Sequence, residues 1–444
     1  MVGYRLYRRS HHFYQAKKLR DALRFNDWRQ WYNWFGQVKK EKVQTYKAYS
    51  YRWVVLAVFM YIAALTQLYW LNFSAIDTYV EDNLHISAFS TSLLALVFPL
   101  TYVLLSLPSG MLIDRKGFKY SLSIAVIFTG VFSIIRIIDP YSYPLLLISQ
   151  IGISIGQPFV LNGITKLVSV WFPQKEEATA VGLGSLALFI GMVISLGLTP
   201  ALVDSLGLRS MLLIYGIMGI AGTLLFFTLV RAKPPTPARE SKEEEKISIR
   251  EGIKRILRIR DFVILGFVAL IGIGVFNGLA TWLEKILNEL HHISMVDAGS
   301  ISSVLVFSGM LGCIVIPMVS DRIKKRKPFL VLASLVGAIC VVVLMFGSGY
   351  AVNLGNGIIL GFFLLSALPI MLTMSIEITG EKYAGISVAY LQLLGNGAAV
   401  AIVPIMEVLH GVRGTYILPL VFIAVLLAIA VVLAFRIRET AKTA

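Results

Sequence analysis

Apolar runs long enough to cross a bilayer, which takes about 20 residues, alternate with short charged turns along most of this chain. Twelve such runs fall at 52–74, 90–112, 120–138, 143–170, 178–203, 208–230, 261–287, 298–320, 328–350, 354–378, 383–409 and 415–435. Each predicts a membrane-spanning helix, because only a helix satisfies its own backbone polar groups in lipid. The longest polar interruption, 231–260, holds Pro234, Pro235 and Pro237 and a mixed charge run at 240–246, and it divides the spans six and six. The predicted fold is an all-α membrane protein with a six-helix half at 52–230, a linker at 231–260, a second six-helix half at 261–436 and a tail at 437–444. Residues 1–51 form a basic, aromatic-rich extension ahead of the first span.

Composition agrees: 57% of the residues are hydrophobic and the mean hydropathy is +0.75, too apolar for an ordinary soluble protein. The net charge of +16 raises nucleic acid as a partner until its distribution is examined. With both termini cytoplasmic, 37 Lys and Arg fall on the cytoplasmic side and only Arg136, Arg209, Lys285 and Arg413 on the other. That asymmetry sets the orientation by the positive-inside rule and accounts for the charge without nucleic acid. The extension carries Phe25, Trp28, Tyr32 and Phe35 at helical spacing among basic residues. Two readings stand for it, an amphipathic helix on the anionic cytoplasmic leaflet or a floppy basic tail. Cys313 and Cys340 lie inside apolar runs, as packing thiols do.

Between the second and third spans, the turn from Gly110 to Lys119 carries Asp114, Arg115, Lys116 and Lys119. The design returns between the eighth and ninth spans, where Asp321 and Arg322 lie 207 residues beyond Asp114 and Arg115. These loops resemble the major facilitator superfamily, whose loop between helices 2 and 3 has the form Gly-x-x-x-Asp-Arg-x-Gly-Arg-Lys. Phe118 departs from the pattern, and the second copy lacks both glycines. The resemblance implies the major facilitator fold, two pseudo-symmetric halves that alternate in access, with Asp114, Arg115, Lys119, Asp321, Arg322 and Glu377 as gating residues.

Polar residues inside spans mark a bundle interior or a wet cavity. Gln67, Trp70 and Ser74 share one helical face of the first span; Gln157 precedes Pro158 in the fourth, as a ligand or as a structural amide. The seventh span carries Phe276 and Asn277 among glycines, and the eleventh places Gln392 and Asn396 at i, i+4. The 207-residue offset sets Asn277 opposite Trp70. Adjacent His291 and His292 lack metal-ligand spacing, so no metal is expected. A phosphate-cradling loop, a nucleophile elbow and paired buried carboxylates are all missing, so nothing points to an enzyme, an ATP-driven pump or a cofactor.

Several stretches narrow the family: Gln67 with Trp70 to Ile76, Gln157 to Leu161, Val170 to Phe172, Val275 to Thr281, Gly361 to Phe363, Leu368 with Pro369, Ile376 to Thr379, and Gly385 to Val388. In this order they look like the feline leukaemia virus subgroup C receptor family. That resemblance implies facilitative transport of choline and ethanolamine, with haem export also claimed, and a cage of aromatics and amides around an ammonium head. Trp70 and Gln157 match its tryptophan and glutamine, whereas Asn277 replaces an expected tyrosine and Asn396 an expected glutamine.

The reading is therefore a monomeric multi-pass transporter of the cell membrane. It carries a small organic solute, choline-like or another small amine, by facilitated diffusion at a site formed by Gln67, Trp70, Gln157, Phe276, Asn277, Gln392 and Asn396. Facilitation is favoured because the mid-bilayer lining lacks Asp and Glu, while Glu284, Glu377 and Glu407 lie near span ends. The alternatives are a proton-coupled exporter of drugs or organic acids using Glu377 or Glu284, and a receptor or scaffold that transports nothing.

Overall fold

The computed structural model describes residues 46–239 and 248–441. Every helix described belongs to the unit Ala48–Ala444, one of two into which contacts divide the chain. The N-terminal segment to residue 45, with its expected amphipathic helix or tail, and the charge run 240–246 lie outside the described residues.

Among the described residues there is no strand. The helices are α1 (Arg52–Leu71), α2 (Asp77–Leu84), α3 (Ala88–Lys116), α4 (Phe118–Ile138), α5 (Tyr143–Trp171), α6 (Glu177–Leu229) and α7 (Ile249–Ile256), then α8 (Arg260–His291), α9 (Met295–Ile323), α10 (Lys327–Phe346), α11 (Tyr350–Thr379), α12 (Ala384–Arg413) and α13 (Ile417–Arg436). Eleven of these are long and apolar enough to cross a membrane. α6 runs for 53 residues, and a straight helix of that length would reach ~80 Å, far beyond a hydrocarbon core of about 30 Å. It turns back at Gly207 (φ 80°, ψ 165°), a conformation open to glycine, so 177–206 (α6a) and 208–229 (α6b) are separate spans. The twelve expected spans are thus present.

The 207-residue offset persists through the joints. His85 and His292 both end helices in the left-handed conformation, at φ 53° and 52°. Ser87 and Ser294 both cap the helix that follows, accepting from the amides of Ser90 and Asp297. Short 3₁₀ turns occupy Gln174–Glu176 and Glu381–Tyr383, and positive-φ glycines stand at 207 and 414. Helix pairing repeats as well. α3 packs on α5 as α9 does on α11, α4 on α5 as α10 on α11, and α1 on α6 as α8 on α12 and α13. Across the halves, α6 meets α9 and α12 meets α3, contacts that a two-fold axis interchanges.

Small residues make these approaches possible. A Cβ on Gly191 would overlap the Ala64 carbonyl oxygen, and one on Gly361 that of Leu305. Gly184 likewise packs against Ile164 and Phe59, whereas Gly182 faces open space.

The apolar core shows how the halves are joined. One cluster unites the half-interface near α2, the neighbouring ends of α1, α3 and α5, and the whole second half. A separate cluster holds Val55–Ala63, Phe118–Val126, Phe159–Phe172, Phe226 and Val230, the opposite end of the first half. That end carries the Asp-Arg loops and the linker and is called the basic end; the other, rich in carboxylates, is the acidic end. The halves share a core at the acidic end and part at the basic end.

Candidate functional site

The first span does not continue to Ser74 as one helix. α1 stops at Leu71 and a 3₁₀ turn at Ser74–Ile76 leads into α2, whereas the equivalent α8 runs unbroken to His291. Asn72 and Phe73 keep helical dihedrals, so Ser74 still follows Trp70 by about one turn, and the chain leaves the helical path at Ile76 (φ −134°, ψ 31°). Other helices supply polar groups around the break. Gln150 Nε2 on α5 donates to the Tyr69 carbonyl at 3.1 Å and to that of Leu94 at 2.9 Å. Ser195 Oγ on α6a donates to the Leu68 carbonyl at 2.8 Å. A discontinuous membrane helix whose freed groups are met by neighbours is tolerated inside a bundle.

Gln67 and Trp70, just ahead of this break, and Gln157 on α5 are buried, at 2%, 6% and 5% exposure. Among the described residues, none of the three forms a side-chain hydrogen bond, and none of their polar atoms is sealed off within the protein. Buried amides normally find partners, so these groups are left to meet water or a ligand. Gln157 lies two turns, ~10.5 Å, from Gln150 along α5, toward the basic end. Its position beside Pro158 leaves α5 continuous.

In the second half, Asn277 Nδ2 donates along its own helix to the Ile273 carbonyl at 2.8 Å. Its Oδ1 is buried with no partner among the described residues. Asn396 Nδ2 similarly donates to the Gln392 carbonyl at 2.9 Å, and both residues are half-buried. Gly274 and Gly278 seat α8 against Ala398, Ile402 and Met406 of α12, where a Cβ would crowd them. Phe276 faces elsewhere, into a cleft of about 10 Å³ with Leu196, Leu283, Leu305 and Leu364. Trp70 and Asn277 hold equivalent positions in the two halves, 207 residues apart.

The expected gating residues divide by half. Asp114 is 78% exposed, and its Oδ1 lies 3.9 Å from Lys166 Nζ in the same half. Arg115 is exposed and Lys119 half-buried. In the second half, Asp321 pairs with Arg326 at 2.5 Å and Glu377 with the same guanidinium at 3.2 Å. Arg326 Nη1 also donates to Ser320 Oγ at 3.0 Å, and Arg322 stays exposed. Arg326 was hidden in the sequence as one member of a basic run. Among the described pairs, none crosses between the halves at the basic end.

The hydrogen bonds that do cross lie toward the acidic end. Thr78 donates to Glu284 Oε2 from its amide at 3.1 Å and its hydroxyl at 3.0 Å. Lys285 Nζ pairs with Glu81, and Ser303 Oγ donates to the Val193 carbonyl at 3.1 Å. The sequence offered a signal for this junction, since Asp77 and Glu284 are also 207 residues apart. His291 belongs to the last turn of α8 and bonds the Leu344 carbonyl, so it is no free loop residue.

Comparison with known proteins agrees with this architecture. The family model described as Major Facilitator Superfamily matches residues 57–404. An uncharacterised MFS-type transporter of Caenorhabditis elegans is 26% identical over 91% of this chain and 72% of its own length. The human choline/ethanolamine transporter FLVCR2 is 26% identical over 80% of this chain and 71% of its own. Among solved structures, a bacterial homologue of the human lysosomal transporter Spinster, inward-facing and unoccupied, matches with a TM-score of 0.68 at 18% identity. That match covers 88% of this chain and 97% of the other.

Proposed function

Since the chain belongs to the major facilitator superfamily and is a membrane transporter of small solutes, we propose that it carries a small organic amine, choline-like in its head group, by alternating access. The observation that carries this reading is that Gln67, Trp70 and Gln157, on the first and fourth spans, are buried with polar atoms that bond nothing among the described residues. An indole face attracts an ammonium by roughly 0.5–2 kcal/mol, and neutral amides orient it without ionised competitors. On this reading Phe276, Asn277, Gln392 and Asn396 complete the site from the second half, with Gln392 and Asn396 the half-buried amides there.

The basic end is cytoplasmic on this reading, because 37 of the 41 Lys and Arg fall on that side when both termini are cytoplasmic. The halves part there, so the conformation is inward-facing. Closing that end brings the free Asp114 loop toward α12. Relatives named as choline/ethanolamine transporters support an amine as the solute.

The test is binding of choline and of ethanolamine to purified wild type, Trp70→Phe and Trp70→Ala, with thermal unfolding as a folding control. Phe retains a weaker π face and Ala none. Trp70→Phe should weaken choline binding a fewfold and Trp70→Ala by about 3- to 30-fold, the cation–π range converted at 1.4 kcal/mol per decade. Equal affinity in wild type and Trp70→Ala would return Trp70 to packing and remove the amine reading.

A further inference from the structure

The acidic-end junction contains more negative charge than its partners neutralise. Asp77 and Glu284, which the offset makes equivalent, are each 2% exposed, so the structure holds the paired buried carboxylates that the sequence was read as lacking. Thr78 satisfies one Glu284 oxygen, but Glu284 Oε1 and Asp77 Oδ2 are sealed with no hydrogen-bond donor among the described residues. Glu407 Oε2 on α12 is sealed in the same way.

The basic side chains facing this group are few. Lys285, next to Glu284, pairs with Glu81 of α2. His410 on α12 pairs with Glu289 of α8 at 2.9 Å and stacks on Tyr416. Asp82 adds a further, exposed carboxylate on α2. A sealed carboxylate oxygen without a donor carries the full cost of its lost hydration, and two carboxylates in one buried site do not both stay ionised.

We propose that the Asp77–Glu284 pair is a proton-binding site assembled when the acidic end closes, so that closure takes up a proton and opening releases it. This rests on the alternating-access reading and adds a ligand, the proton, at a place distinct from the solute site. Burial, with Glu284 beside it, pushes the Asp77 carboxyl well above the ordinary carboxylate range. The sign follows from where the proton binds more tightly. Proton affinity is higher in the closed state, so lowering the pH favours closure, and raising it through the closed-state value favours opening. The solute site need not ionise, so transport remains facilitative while its conformational equilibrium depends on pH.

The test uses the full chain in liposomes with Cys313 and Cys340 replaced by alanine. Spin labels at Ser205→Cys and Val412→Cys, exposed positions at the acidic ends of α6a and α12, report the distance between the halves. The closed population should rise as pH falls, by up to about tenfold per pH unit for one proton. Asp77→Asn with Glu284→Gln, neutral mimics of the protonated pair, should hold the acidic end closed and abolish the response. His410→Asn should leave the response intact; its loss there would make histidine the sensor and overturn the proposal. Two distance populations insensitive to pH would overturn the proton site alone. A single population under every condition would overturn alternating access with it. Thermal unfolding of each variant separates these outcomes from misfolding.

Discussion

The first half turns from α3 to α4 through Gly117, at φ 84°, and the second turns from α9 to α10 through Lys324, at φ 50°. Both residues lie three beyond the aspartate of their Asp-Arg loop and both have positive φ, but their ψ values, 166° and 48°, make them two different turns at equivalent positions. The ion pairs differ more. Asp114 is exposed and reaches only Lys166, at 3.9 Å, while Asp321 and Glu377 share the 11%-exposed side chain of Arg326. One loop is free to engage a new partner, and the other is locked within its own half. Symmetry of fold therefore does not carry symmetry of gating: on the proposed cycle the first loop is the moving contact and the second its fixed frame.

The largest effect expected is all-or-none. Cysteines at Lys116 and Lys325 should react with an impermeant reagent only from the cytoplasmic side, and one at Asp82 only from outside. Labelling of the two loops from opposite faces would break their equivalence. Next in size, Arg326→Ala should lower stability by about 2–3 kcal/mol, because it leaves two carboxylates without their shared cation. Lys166→Ala should cost no more than about 0.5 kcal/mol, as exposed pairs do. Thermal unfolding in detergent compares them, and similar losses would show that both loops are locked.

The smallest effects sharpen the backbone comparison. A Cβ at Gly117 would meet nothing within 4 Å, yet φ 84° with ψ 166° is a region that only glycine enters cheaply. Gly117→Ala should therefore cost ~1–2 kcal/mol through the backbone alone. Lys324→Gly should shift stability by no more than about 0.5 kcal/mol, since relief of the left-handed strain offsets the added freedom of the unfolded chain. A larger loss from Lys324→Gly would mean that the lysine side chain, not its backbone, holds the turn.

The spans were legible because a bilayer demands apolar length, and the half-chain offset was legible because two Asp-Arg pairs announced it. The same offset carried Asn277 to the position of Trp70 and left both buried. The break after Leu71 was not legible. Residues 71–76 contain no glycine or proline and read as a continuation of the span; the groups that meet the break, Gln150 and Ser195, come from α5 and α6a. Phe276 and Asn277 are adjacent in the sequence, but adjacent residues on a helix point about 100° apart; Gly274 and Gly278 seat one face of α8 on α12, and Phe276 turns to a cleft with Leu196 and Leu305. The clamp at Arg326 required three dimensions to separate it from its basic neighbours.

Arg136 was counted among the few cations at the acidic end, and it is wholly buried. Its guanidinium lies 4.6 Å from the centre of the Tyr69 ring, and its three nitrogens find no acceptor among the described residues. For a chain threaded into a membrane during synthesis, such a residue is a question of timing. Arg136 stands in the last turn of α4, two residues from its end, so a lone α4 would hold the guanidinium toward the lipid headgroups, where a long basic side chain reaches water. The ring that receives the charge belongs to α1, which leaves the ribosome two spans earlier. Translation order thus delivers the receptor before the guest, and the first and third spans are linked by one aromatic–guanidinium contact in the order they are made.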